Sequence, residues 1–121
     1  MFKKIFDQES SQNDVYKVVA APLVVDFLDG YNGTVFAYGQ TGSGKTFTMS
    51  GGGPSWDERG IIPRVFTHLF QMIEKRKEMI QYTVYASYLE IYNECGYDLL
   101  ERKHAETDFE KWSKISLFED R

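Results

Sequence analysis

The chain has 121 residues, enough for one domain with its own core, and its 42% hydrophobic and 26% charged content is that of a soluble globular protein. A formal net charge of -4, with lysines and arginines interspersed among acids, excludes a global attraction to nucleic acid or to an anionic membrane. The single cysteine, Cys95, excludes an internal disulfide, no apolar signal-peptide core follows Met1, and the longest apolar run, residues 18–25, is interrupted by Pro22 and too short to span a bilayer, so a soluble intracellular protein is expected.

Residues 2–6 read as a short strand ending at Asp7. Ser11 then fits a helix cap, with Asp14 favourable in the first turn. Val15, Val18, Val19, Leu23 and Phe27 recur at helical spacing behind it. Pro22 falls inside this stripe and is expected to kink the helix, because it removes a backbone bond and crowds the preceding turn. Gly30 and Asn32-Gly33 end the helix. Thr34, Val35, Phe36, Ala37 and Tyr38 form an almost wholly apolar run bounded by glycines, the pattern of a strand buried on both faces of a parallel sheet.

A glycine-rich turn over residues 39–44 follows, and Lys45-Thr46-Phe47-Thr48-Met49 opens a helix that Gly51-Gly52-Gly53-Pro54 breaks. Ile61, Val65, Leu69 and Met72 mark a second helical stripe, resuming after Pro63 and running to about Lys77. Tyr82, Val84, Ala86 and Tyr88 alternate with their neighbours in a long strand that continues towards Tyr92. Residues 101–114 are charged and irregular, and Ile115-Ser116-Leu117-Phe118 reads as a final strand. Strands alternating with helices imply an α/β fold.

Gly39, Gln40, Thr41, Gly42, Ser43, Gly44, Lys45 and Thr46 match the phosphate-loop pattern of Gly, four residues, then Gly-Lys-Ser/Thr. Gly39, Gly42 and Gly44 let the backbone curl so that successive N–H groups face a phosphate, and the following helix start favours the anion. Lys45 is expected to reach the β- and γ-phosphates, and the Thr46 hydroxyl to ligate the bridging magnesium ion. The apolar run before the loop and the helix after it supply the context that this chemistry requires.

Other chemistry-bearing residues read more plainly. Asp26 ends the apolar run Leu23-Val24-Val25 but lies in a helical stripe, so an exposed helix carboxylate is expected rather than a metal-side acid. Glu90 and Glu94 flank a strand end and are read as structural. His68 is read as a partly exposed helix residue, and His104, in a charged loop, as solvated. Two histidines and one cysteine at unrelated spacings do not make a transition-metal site, and Cys95 reads as an ordinary thiol.

The run Gly30-Tyr31-Asn32-Gly33-Thr34-Val35-Phe36-Ala37-Tyr38, continuing through the phosphate loop to Thr46, resembles the phosphate-loop region of kinesins. So do Gly60-Ile61-Ile62-Pro63-Arg64, Ser87-Tyr88-Leu89-Glu90-Ile91-Tyr92-Asn93-Glu94, Asp98-Leu99-Leu100, Ile5-Phe6-Asp7, Ser10-Ser11-Gln12 and Ala21-Pro22-Leu23-Val24, in the family's order over nearly the whole chain. The resemblance implies a partial P-loop NTPase fold of the kinesin motor type, with a central mainly parallel or mixed sheet and flanking helices. Its implied activity is microtubule-stimulated ATP hydrolysis that drives movement along microtubules, with ATP or ADP and Mg2+ as the bound group.

In that setting Gln40 to Thr46 wrap the phosphates and Phe47 lies near the base and sugar. Tyr31 is either a base or sugar contact or an aromatic packed at the helix-to-strand turn, and both roles bury its ring. The partner implied is the microtubule, with no nucleic acid and no membrane, in the cytoplasm and cytoskeleton. Residues around Cys95-Gly96-Tyr97 are similar to the branch found in cilia and flagella.

Residues 1–121 are thus expected to form a partial motor domain. Its first strand, both switch segments (patterns like Asn-x-x-Ser-Ser-Arg-Ser-His and Asp-Leu-Ala-Gly-Ser-Glu), the microtubule-binding elements and the neck do not occur in the chain. Hydrolysis and movement are not expected of these residues alone. The alternatives are a nucleotide-binding module without turnover and a non-functional truncated product.

Overall fold

Ser11 opens the first helix through reciprocal capping. In the computed structural model, which describes residues 2–116 and leaves aside the side chains of Lys103 and Ala105, α1 spans Gln12–Val19. Ser11 Oγ accepts the Asp14 N–H at 3.2 Å, while the Asp14 carboxylate accepts the Ser11 N–H at 3.1 Å. Each bond satisfies a donor that has no acceptor one turn back. The Ser11 hydroxyl and N–H together hold the Asp14 carboxyl below its ordinary 3.8.

The single kinked helix predicted around Pro22 is instead two helices. α2 spans Ala21–Leu28, and Ala20 stands between the two with φ -119° and ψ -33°. Pro22 lies at the first positions of α2, where a missing N–H removes no helical bond, so the ring starts a new helix rather than bending an old one. Gly30, at φ +95°, closes α2 by letting the Tyr31 N–H reach back to the Asp26 carbonyl at 2.9 Å.

α3 is short, Lys45–Met49, and a turn returns the chain through a 3-10 segment, Trp56–Glu58, with Gly51 bridged antiparallel to Arg59. α4 spans Ile61–Arg76. It begins before Pro63 rather than after it, since a proline in the first turn lacks only an N–H that has no partner there. α1, α2 and α4 pack around Tyr16, Ala20 and Ile61, with Val15, Val19, Val65, Met49 and Val35 at the margin.

The predicted strands are only partly realised. Among the described residues the sheet is one antiparallel hairpin, β1 Leu89–Tyr92 and β2 Cys95–Asp98, and the central mainly parallel or mixed sheet expected is not formed among them. Residues 2–6, 34–38 and 82–88 carry no ladder. Phe36 and Tyr38 are 80% and 90% exposed, the opposite of the burial expected. An apolar run supplies strand propensity, but a strand forms only with a partner backbone to bond, and no described segment offers one here.

The chain divides into two compact units, Met1–Tyr82 and Thr83–Arg121. The first holds α1, α2, α3 and α4. In the second, Asn93 and Glu94 turn the hairpin at φ 48° and 61°, the left-handed pair that suits the twist of two strands joined by two residues. Ile115 bridges to Gly96, its N–H donating to the Gly96 carbonyl at 2.9 Å. Leu117 and Phe118, predicted to continue this strand, lie outside the described residues. The charged stretch expected to be irregular contains two 3-10 turns, Arg102–Glu106 and Phe109–Lys111. Phe109 and Trp112 from this stretch pack on buried Tyr97, with ring centroids 4.9 and 6.3 Å away. No helix among the described residues is long and apolar enough to cross a membrane.

Candidate functional site

Residues 39–44 curl as their glycines allow. Gly42 and Gly44 take φ +79° and +88°, a region that side-chain-bearing residues rarely enter. Gly39 is needed for a different reason: a Cβ there would lie 2.5 Å from Ser43 Oγ. The Ser43 N–H closes the turn on the Gln40 carbonyl at 3.1 Å, and Thr41 is exposed on its outer side.

Gly44 caps α3, whose ladder begins with the Thr48 N–H on the Gly44 carbonyl at 2.8 Å. The N–H groups of Lys45, Thr46 and Phe47 precede that rung and have no helical acceptor. With only five residues, α3 contributes a small dipole, so the loop's attraction for an anion rests on these local donors and on Lys45.

The Lys45 ammonium is anchored rather than free. It donates to the Gly39 carbonyl at 2.8 Å and to the Gln40 carbonyl at 2.7 Å, which holds the charge over the loop. An ammonium carries three donors, so one remains for a further acceptor. Thr46 follows at an exposed position. Residues 39–47 include no carboxylate that would oppose an anion. A phosphate group fits this donor set. A magnesium ion fits on the Thr46 hydroxyl if phosphate oxygens and water complete its shell, which is its usual arrangement at such loops. No group of three His, Cys, Asp or Glu side chains able to hold a metal occurs among the described residues.

Phe47 is half exposed, and its ring lies against the backbone of Gly52, where a Cβ would come within 2.7 Å of it. Tyr31 is 67% exposed, so its ring is buried in neither of the roles weighed for it; the left-handed turn at Gly30 directs it outward while fixing its N–H. Asp26 is an exposed carboxylate on α2, as read from the sequence, and Glu90 and Glu94 are exposed at the hairpin. His68 is half-buried on α4 and bonds the Tyr16 hydroxyl through Nδ1 at 2.7 Å. His104 overturns its solvated assignment. It is 7% exposed, stacked on the Trp112 ring at 4.2 Å and 4°, because the 3-10 turn folds it inward. Cys95 is a free, half-buried thiol in contact with Lys114.

Of two buried polar residues that sequence reasoning did not single out, one bonds α3 directly after the loop and the other holds the turn that follows α3. Gln12 is buried, and its amide donates to the Phe47 carbonyl at 2.7 Å. Arg64, 3% exposed, donates to the carbonyls of Arg59 at 2.9 Å and Trp56 at 2.7 Å, reaches Asn13 Oδ1 at 3.4 Å and covers the Trp56 ring at 4.8 Å. Gln12 sits in a run of polar cap residues, and Arg64, one turn after Ile61 in an otherwise apolar stretch of α4, carries a charge that ordinarily stays at the surface, so residue type marks neither as buried.

The family description "Kinesin motor domain" matches residues 1–120. The kinesin-like protein klp-20 of Caenorhabditis elegans is 50% identical over 103 residues, which is 85% of this chain and 16% of that protein. A solved fast kinesin, studied for its ATPase mechanism and interactions with microtubules, aligns at TM-score 0.79 and 48% identity over 82% of this chain and 28% of its own. The Drosophila kinesin family member Kin10/NOD, solved with divalent manganese and ADP, aligns at TM-score 0.75 and 32% identity over 98% of this chain and 44% of its own. The P-loop NTPase-like fold of kinesin motors is therefore the fold neighbourhood of this chain, which spans a minor part of each of these proteins.

Proposed function

We propose a function from one premise: this chain belongs to the kinesin motor-domain family. Residues 1–121 are the ATP-binding part of a microtubule motor domain. Gly39, Gln40, Thr41, Gly42, Ser43, Gly44, Lys45 and Thr46 cradle the phosphates of ATP or ADP, and the Thr46 hydroxyl faces Mg2+. Phe47 belongs to the set through its N–H, directly after Thr46 at the start of α3. The observation that carries the reading is the Lys45 ammonium fixed on two loop carbonyls beside donors that have no helical acceptor. Manganese and ADP in the Drosophila relative, and the ATPase and microtubule interactions attributed to the fast kinesin, support the same assignment.

The chemistry this chain's residues perform is binding and charge placement. Bound nucleotide and metal supply the phosphoryl bond and its electrophile. Lys45 neutralises phosphate charge, the backbone donors orient it, and Thr46 sets the metal side. Phosphate-loop hydrolysis further needs a group that positions water and a second hold on the metal. The two switch patterns that do this in kinesins are not among the 121 residues. Turnover and movement along microtubules thus belong to the motor domain as a whole. In that whole we place residues 34–38 and 82–88 as strands of a central, mainly parallel or mixed sheet, whose neighbours would cover Phe36, Tyr38 and Tyr85. The setting is the cytoplasmic microtubule cytoskeleton, and Cys95-Gly96-Tyr97 favours microtubules of cilia or flagella. A second reading, a nucleotide-binding module without turnover, is favoured by the intact loop together with the missing switch patterns.

Calorimetric titration of the chain with Mg-ADP tests the cradle. Lys45→Ala is expected to weaken binding about a hundredfold, the scale of a charge-assisted hydrogen bond. Thr46→Ala is expected to weaken Mg-ADP more than ADP alone. Equal binding by the parent and both variants sinks the assignment.

A further inference from the structure

α3 has a structural problem at its C-terminal end. The Gly51 N–H, which would serve the Phe47 carbonyl if the helix continued, bonds the Thr46 carbonyl instead at 3.2 Å, beside the Ser50 N–H at 2.8 Å. The Phe47 carbonyl is left as one of the orphan acceptors of a helix end. Gln12 answers it with its amide at 2.7 Å, from a side chain that is itself buried.

The base of this contact is also held. Gln12 is the first residue of α1, fixed by the Ser11–Asp14 capping box, and its neighbour Asn13 accepts from Arg64 at 3.4 Å. None of the five residues of α3 is buried and Met49 packs only at the margin of the core, so a hydrogen bond from a secured element adds a directional restraint.

We propose that Gln12 is a positioning residue for the phosphate cradle: its amide clamps the Phe47 carbonyl and thereby sets where Lys45 and Thr46, two residues and one residue upstream, stand relative to the phosphates and metal. The proposal rests on the cradle reading above. It adds a residue outside the phosphate-loop pattern that acts through α3. Loss of the clamp leaves an unsatisfied acceptor at the helix end, which α3 relieves by fraying from Gly51 backwards towards Thr46.

The test uses the full chain, with calorimetric titration by Mg-ADP and by ADP alone beside amide hydrogen exchange. Gln12→Met keeps the side chain's length without its donor. It is expected to leave α4 folded, to weaken Mg-ADP about tenfold, the scale of one buried hydrogen bond, and to weaken metal-free ADP less. Exchange at the Thr48, Ser50 and Gly51 N–H groups is expected to speed up. Gln12→Glu provides rescue within one protein. At about pH 7.5 its carboxylate repels the Phe47 carbonyl, and at about pH 4.5 burial beside that carbonyl favours the protonated form, which donates to it. Its affinity relative to the parent at the same pH should fall in the first condition and recover in the second.

Unchanged Mg-ADP affinity in a folded Gln12→Met, or no recovery by Gln12→Glu, overturns the proposal. Global unfolding of both variants overturns it as well, since Gln12 would then support the fold at large. Lys45→Ala separates the two readings. If it binds Mg-ADP as the parent does, the cradle reading fails, while the exchange rates at Thr48, Ser50 and Gly51 still decide whether Gln12 holds α3.

Discussion

The two compact units treat buried polar groups in opposite ways. In Met1–Tyr82 each such side chain meets a partner from elsewhere in the unit: Gln12 on the Phe47 carbonyl, Arg64 on two carbonyls and Asn13, and the Tyr16 hydroxyl on His68. In Thr83–Arg121 His104 is as buried as Tyr16 or Gln12, yet neither ring nitrogen has a hydrogen-bond partner among the described residues. Its environment is aromatic, with Trp112 stacked on one face. The helical unit is therefore specified by directional contacts, each of which is expensive to lose, whereas the hairpin unit relies on ring packing that tolerates exchange of one ring for another.

The sharpest way to break this comparison is Arg64→Met. It deprives the Trp56 and Arg59 carbonyls of their donor and frees the turn between α3 and α4. A loss of about 3 kcal/mol is expected, read as a lower urea midpoint of the helical signal. An effect as small as a surface substitution would mean that the clamp is ornamental.

His104→Phe carries the comparison into the other unit with the opposite sign. A phenyl ring keeps the stack on Trp112 and removes two unpartnered nitrogens, so a gain of about 1 kcal/mol is expected. Slower amide exchange in β1 and β2 would register it. A loss of stability would show that the imidazole is bonded in solution.

Tyr16→Phe removes one directional bond from the helical core without changing its volume. About 1 kcal/mol is expected to be lost at neutral pH. Burial raises the Tyr16 hydroxyl above its ordinary 10.0, against a smaller downward pull from Arg64. The folded state therefore holds this proton more tightly than the unfolded one. Its stabilising share is complete below pH 10.0 and is lost as the pH rises through the folded value. Alkaline unfolding curves of the parent and Tyr16→Phe should converge at the top of that range.

The smallest effect is expected at the exposed capping box. Hydrogen bonds from Ser11 lower the Asp14 carboxyl below 3.8, so its contribution is present above that pH and is lost as the pH falls through the folded value. Asp14→Asn should flatten the acid limb of a helix-content titration and change little at neutrality.

Several features were legible because they close over a few residues. The Ser11 cap, the glycine curl at Gly42 and Gly44, the stripe that became α4, and the phosphate-loop pattern itself all depend on neighbours within about one helical turn. The same local logic explains Pro22: its position was clear, but whether it bends a helix or starts one depended on Ala20 leaving helical geometry ahead of it. Residues 34–38 and 82–88 form no ladder with any described segment, because an apolar run or an alternation names a propensity and not a partner.

By itself, then, the sequence determined where the main helical stripes run, the Ser11 cap, the turn chemistry of the phosphate loop and, through its motifs in order, the family. Tertiary structure alone decided which backbone segments pair, that His104 turns inward, and that Gln12 reaches the Phe47 carbonyl across 35 positions. The reason is range. A helix or tight turn satisfies its own N–H and C=O groups within four residues, while a sheet ladder or a buried amide is satisfied only by a group that folding brings from far along the chain.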